Sequence, residues 1–260
     1  MFASPTKTLL GLLGLAINVS LLVACGGQTP EGDSEPRTTP PLATIIAPRD
    51  FALAPCDGAP SEALCVILAA GGKRVLIGAP AGVGDGRLPG EDVFPDAVLL
   101  PSLHPRNIEG LDELRYQTWA GGRTAPLSVT GPAGTADFID GLNTAYTLPD
   151  AVAFLDTSAD NRDFAAMPLR ATDVRSGDTA FDTGDLVLTA NAAGRGHMAF
   201  RATYGGQSIL IIPCGANIRD LGPALDNATI VTCTQDADSL NADMTWPLQT
   251  PVFLNRPDPE

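Results

Sequence analysis

Twice the chain sets two apolar, β-rich runs on either side of a glycine pair: "EALCVILAA" (62–70), Gly71-Gly72 and "KRVLIGAP" (73–80), then "GHMAFRATY" (196–204), Gly205-Gly206 and "QSILIIP" (207–213). Two glycines tolerate the positive φ of a tight turn, so each unit reads as a β-hairpin. Residues 43–48, 96–103, 125–130, 185–190 and 228–233 read as further strands. Between them, "NIEGLDELRYQTWA" (107–120) puts Ile108, Leu111, Leu114 and Trp119 near one face of a helix. A second helix is expected over 134–148, entered through Gly131-Pro132, and a short one over 217–225. Strand pairs interleaved with isolated helices favour two sheets with helices outside over a strictly alternating doubly wound fold. No internal repeat stands out.

The first residues read as a targeting segment. Met1 to Thr8 carries one lysine and no acid, and Leu9 to Ala24 is apolar apart from Asn18 and Ser20. A short basic region, an apolar stretch of this length and small residues before the cut describe a secretory signal, expected over 1–24. Leu22-Val23-Ala24-Cys25 resembles a bacterial lipobox. That resemblance implies lipidation of Cys25 and anchoring in the cell envelope; Gly26 after the cysteine, with no retention-type Asp, points to the outer membrane facing the periplasm. Residues 25–41, rich in Pro, Gly and Thr, are expected to be a disordered linker. Residues 42–260 are long enough for one domain with a sizeable core.

Charge excludes one class of partner. Without Lys7, fifteen basic residues face thirty acidic ones, and an anionic surface repels phosphate backbones. Nucleic acid is therefore not an expected partner, nor is anionic lipid beyond the covalent anchor.

With Cys25 assigned to lipid, Cys56, Cys65, Cys214 and Cys233 remain. In an oxidising compartment an even count reads as two disulfides, and four cysteines allow three pairings. Nearest neighbours, Cys56 with Cys65 and Cys214 with Cys233, are the expected pairs; the alternative is buried free thiols.

The run "VLLPSLHPRNIEGLDELRYQTWAGGRTAPLSVTGPAGTADFIDGLNTAY" (98–146) is similar to the region around the first metal loop of metallo-β-lactamase-fold hydrolases, in particular the ribonuclease Z and arylsulfatase-like branch. "GGKRVLIGAPAGV" resembles the preceding strand, and "MAFRATYGGQSILIIPCGA" the later hairpin that ends in that family's metal-bridging aspartate. The resemblance implies an αββα sandwich, two mixed sheets with helices outside, and a metal site at one edge between them.

In that family the loop reads His-x-His-x-Asp-His, a donor set that holds one or two divalent ions to activate water. Here the four positions are Ser102, His104, Arg106 and Asn107. Cys214 falls at the bridging Asp and Cys233 at the last-strand His, while His197 lies near the remaining His position. The chain has only two histidines, so a site needing three imidazoles is excluded. Arg106 adds repulsion: one unit charge facing two at ~4 Å and an effective dielectric near 20 costs roughly 8 kcal/mol before the side chain swings away.

These positions imply a non-catalytic member of the fold, with no cofactor. It would bind a small anionic ligand or an envelope protein in a cleft rimmed by His104, Arg106 and Asn107. The alternative is a hydrolase of ester, sulfate ester or phosphodiester bonds with a mononuclear zinc site built from His104, His197, Cys214 and Cys233. A Ser102–His104 nucleophile and base lacks an orienting acid and an oxyanion hole. "GAPAGVGDG" (78–86) lacks a P-loop Lys followed by Ser or Thr and reads as a bordering loop. Asp137, Asp140 and Asp150 read as a solvated face of the second helix, and the acids of 156–163 do not follow an EF-hand spacing.

Overall fold

The computed structural model describes residues 46–58, 60–84, 88, 94–156, 162–233 and 242–256. The segments expected to be a signal (1–24) and a linker (25–41), with Cys25, lie outside the described residues.

Strand β1 (Phe51–Pro55) pairs antiparallel with β2 (Val66–Ala70), which turns through Gly71-Gly72 into β3 (Lys73–Ile77). β4 (Ala97–Leu99), β5 (Leu127–Gly131) and β6 (Leu169–Asp173) follow in parallel, and β13 (Val252–Asn255) closes the other edge. The first sheet therefore runs β13-β1-β2-β3-β4-β5-β6. The second contains β7 (Thr179–Asp182), β8 (Val187–Ala192), β9 (Met198–Tyr204), β10 (Gln207–Ile212), β11 (Thr229–Thr232) and β12 (Met244–Thr245), in the order β12-β11-β10-β9-β8-β7. Its β10-β11 and β11-β12 pairs are parallel and the rest antiparallel.

Alternation along the strands sorts side chains between layers, because successive residues face opposite sides of a sheet. Val66, Leu68, Val75, Ile77 and Leu99 meet Leu188, Phe200, Ile209, Ile211 and Val231 in the core between the sheets. Ile67, Leu76, Val98 and Val129 face outward onto Leu111, Leu114 and Ile139 of the helices. Each such side chain, once fully buried, contributes about 1.5–3 kcal/mol relative to exposure. Leu210, Ile212 and Ile230 face the opposite outer side, against Ala193, Ala199 and Leu221.

Among the described residues, α1 (Leu111–Ala120) and α2 (Thr135–Ala145) cover the outer side of the first sheet, and α3 (Thr147–Asp156) packs beyond them against Trp119 of α1 and Met167. The second sheet is covered instead by 3₁₀ turns at Ile218–Asp220 and Gly222–Leu225. The expected helix over 217–225 is thus two tight turns; Gly222-Pro223 interrupts a regular α-helical ladder.

Other expectations shift. The described part of 43–48 is bend and turn, with the first strand displaced to β1. The long helix over 134–148 ends at Ala145, and α3 begins at Thr147. Asp150 is buried, not solvated: its Oδ2 accepts from Arg115 Nη1 at 2.6 Å, and the Arg115 guanidinium stacks 4.4 Å from the centre of the Tyr146 ring. Arg123 ties the same corner together, donating to the carbonyls of Arg115, Ala125, Ala166 and Met167. Burial, and secondarily the charge of Arg115, draws the Arg123 pKa down to about 10, which leaves it cationic at neutral pH.

Candidate functional site at the carboxyl ends of the strands

One edge of the sandwich collects the carboxyl ends of β3, β4, β10 and β11, the edge at which sheets of parallel strands place ligands. Past β4 the chain runs Leu100-Pro101-Ser102, and the N–H of Met198, which opens β9, donates to Pro101 O at 2.7 Å. That bond joins the two sheets directly beside the loop. Gly78 makes the close packing feasible: its φ is +81° and a Cβ there would overlap Leu64 O.

Residues 102–107 form a compact polar loop. Pro105 opens a 3₁₀ turn, Pro105–Asn107, where a missing N–H costs nothing. His104 caps it: Nδ1 accepts from Arg106 N at 3.3 Å and its carbonyl accepts from Asn107 N at 2.8 Å. The Arg106 side chain bends back, Nε donating to His104 Nδ1 at 3.2 Å and Nη1 to Glu62 O at 3.3 Å. Ser102 and Asn107 are buried beneath; Ser102 Oγ accepts from Asn107 Nδ2 at 2.7 Å and from His104 N at 3.2 Å. Asn107 O accepts from Ala79 N at 2.9 Å, fixing the loop to the end of β3.

Across the edge, Cys214 after β10 and Cys233 after β11 are joined in a disulfide with Cα atoms 4.4 Å apart. Both sulfurs lie against Ser61 O, at 3.9 and 3.5 Å. Ser61 belongs to the β1–β2 loop, which a second disulfide, Cys56–Cys65, closes. His197 Nδ1 lies 3.2 Å from Gly194 O, a distance at which Nδ1–H donates, and Nε2 faces Gly215, 3.4 Å from where a Cβ would stand. Ser102, His104, Arg106 and Asn107 therefore form one cluster. His197, Cys214 and Cys233 belong to the segments on the other side of the edge.

This arrangement resolves into a known architecture. Two solved structures superpose on the chain. The metallo-β-lactamase fold protein YhfI from Bacillus subtilis has a TM-score of 0.50 and 15% identity, over 70% of this chain and 70% of its own. Human tRNase Z, short form, has a TM-score of 0.50 and 14% identity, over 70% of this chain and 76% of its own. The fold is that of the metallo-β-lactamases. No family model matches the chain, and no curated protein matches it in sequence.

The metallo-β-lactamase fold implies a metal centre at this edge, and the side chains here do not fit one. Metal ligands need free lone pairs on imidazole, carboxylate or thiolate. His104 Nδ1 is taken by Arg106, whose cation occupies the loop's carboxylate position. Cys214 and Cys233 are bonded to each other, so neither sulfur is a thiolate and the four-residue zinc set loses half its ligands. Among the described residues, no three His, Cys, Asp or Glu side chains group closely enough to hold a metal ion.

The contributors that sequence reading missed are backbone groups. Glu62 O orients Arg106, Ser61 O seats the disulfide, and Met198 N ties the sheets. A carbonyl contributes through where the fold puts it, which no residue type announces.

Proposed function

We propose that the chain is a lipid-anchored protein of the bacterial cell envelope that uses a metallo-β-lactamase fold for binding and not for metal-assisted hydrolysis. Its ligand is a small anion, or the anionic group of a partner envelope protein, held at the cleft edge by Arg106. The observation that carries this reading is the internal satisfaction of the loop. Ser102, His104 and Asn107 bond to one another, and Arg106 is braced by His104 and by Glu62 O.

Two braces use Nε and one hydrogen of Nη1, leaving the Nη2 side of a preset guanidinium fork to meet an oxyanion. A hydrogen bond to a charged group contributes about 1.5–3 kcal/mol, so a single braced arginine suits a weak ligand, or a charged anchor point within a larger contact. In an acidic chain, such a site gains little from long-range attraction and selects by direct contact.

The anchoring half of the reading rests on Leu22-Val23-Ala24-Cys25: residues 1–24 would be removed, 25–41 would tether, and 42–260 would form the binding domain in the periplasm. Thermal unfolding with phosphate, sulfate and carboxylate panels tests the binding half. At least one class raises Tm in the native chain and fails to do so in Arg106→Ala, with Arg106→Lys weakened because the fork is lost. No shift with any panel, in wild type and Arg106→Ala alike, overturns it.

A further inference from the structure

Helix α3 carries an apolar stripe on its outer face. Leu148, Val152 and Leu155 are 74%, 52% and 71% exposed, and Phe164 and Tyr116 flank them at 40% and 37%. The spacing i, i+4, i+7 puts the three aliphatic side chains on one side of a helix. The opposite side is firmly held: Asp150 is paired with Arg115, and Phe154 meets Phe164 edge-on at 5.3 Å beside Trp119 and Met167. The stripe is therefore a presented surface and not a frayed end. It borders a shallow cavity of about 500 Å³ lined by Tyr116, Leu148, Pro149, Val152 and Asp156.

We propose that this face docks on the lipid bilayer to which the chain is tethered, with Leu148, Val152 and Leu155 at the headgroup–acyl boundary; the inference rests on the lipid at Cys25. Three observations favour lipid over a protein partner. First, three side chains on one short helix, with Tyr116 and Phe164 beside them, cover well under the ~800 Å² per partner that a stable protein interface buries. A tethered surface has no such threshold, because the anchor already supplies the local concentration. Second, the chain is strongly acidic and Asp156 sits at the cavity rim, which opposes a second copy and an anionic lipid but suits the ammonium of a zwitterionic headgroup. Third, the tether is long enough. Residues 26–45 span up to roughly 65 Å when extended, whereas β1, near which the described chain begins, and β6, at the far edge of the first sheet, are five strand spacings or only about 24 Å apart.

The test uses the full lipidated chain in phosphatidylethanolamine–phosphatidylcholine vesicles, with a nitroxide label on Val152→Cys or, as a control on the far sheet, on exposed Asp185→Cys. Collision with a water-soluble nickel chelate and with oxygen is read for each, and flotation and the mass of the Cys25 peptide are recorded alongside. The expected result is a several-fold loss of nickel collision and a gain of oxygen collision at Val152, with Asp185 unchanged. A chain that is acylated and floats but leaves Val152 as open to nickel as Asp185 overturns the docking alone. A chain without acyl groups that stays in solution overturns the anchor and the docking together. Protection of Val152 without vesicles, in a species of doubled mass, assigns the face to a second copy and overturns the lipid assignment.

Discussion

Removing Asp150 isolates a cation in the protein interior. The side chains of Arg115 and Asp150 are 1% and 7% exposed, and Arg115 Nε already lacks a hydrogen-bond partner among the described residues. Asp150→Ala would leave that guanidinium with the Tyr146 ring at 4.4 Å as its main counterpart. Breaking a buried pair from one side costs about 3–5 kcal/mol, and the ring offsets at most ~2 of this. In a domain of this size 1 kcal/mol corresponds to about 2–4 °C in Tm, so a fall of roughly 10 °C is expected. The double variant Arg115→Met, Asp150→Leu removes both charges and is expected to lie within about 1.5 kcal/mol of the parent, because the desolvation cost disappears with the pair. The assay is urea unfolding with both disulfides intact, followed by the fluorescence of Trp119, which packs beside this corner with its Nε1 donating to Asp163 O at 3.0 Å. A loss of under about 1 kcal/mol for Asp150→Ala, or a double variant no better than the single one, would refute the reasoning.

Three further outcomes follow from local geometry. Asp173 accepts from Ala136 N at 2.8 Å and Gly134 N at 3.0 Å, and these bonds hold its pKa below the usual carboxylate range. A depressed folded value contributes stability above the unfolded value and loses it as pH falls through the folded one. Asp173→Ala should therefore cost about 1 kcal/mol near neutrality and flatten the acid limb of a pH–stability curve. Cys214–Cys233 is half-buried at the sheet edge while Cys56–Cys65 is buried, so graded reduction with alkylation and mass spectrometry should label residues 214 and 233 first. Gly78→Ala, at φ +81° against Leu64 O, should destabilise by more than about 1 kcal/mol in urea, and a neutral result would show that β3 can move away from the β1–β2 loop.

The two hairpins were legible because their turns are written in glycine: Gly71, Gly72, Gly205 and Gly206 all have positive φ. Strand β1 was not, because "FALAP" has little β-propensity and is held by its neighbours β2 and β13. Helix α3 was mostly missed: the expected helix over 134–148 runs through the break at Tyr146, which carries no strong stop signal, and stops before Pro149, which sits in the first turn of α3, where proline is tolerated. Asp150 read as a solvated acid because its partner lies 35 positions away. At the candidate site, the loop positions and the cysteines could be singled out from the sequence. That Arg106 folds back onto His104, and that Ser102 and Asn107 are paired beneath it, depends on where β4 and β1–β2 bring the backbone.

The central proposal is that this edge of the sandwich binds a ligand without a metal. The most direct measurement is the metal content of the chain purified from an oxidising compartment without chelator, then incubated with zinc, iron and manganese and desalted. The account predicts only substoichiometric metal, unchanged in His104→Ala. One equivalent retained by the native chain and lost in His104→Ala would contradict it.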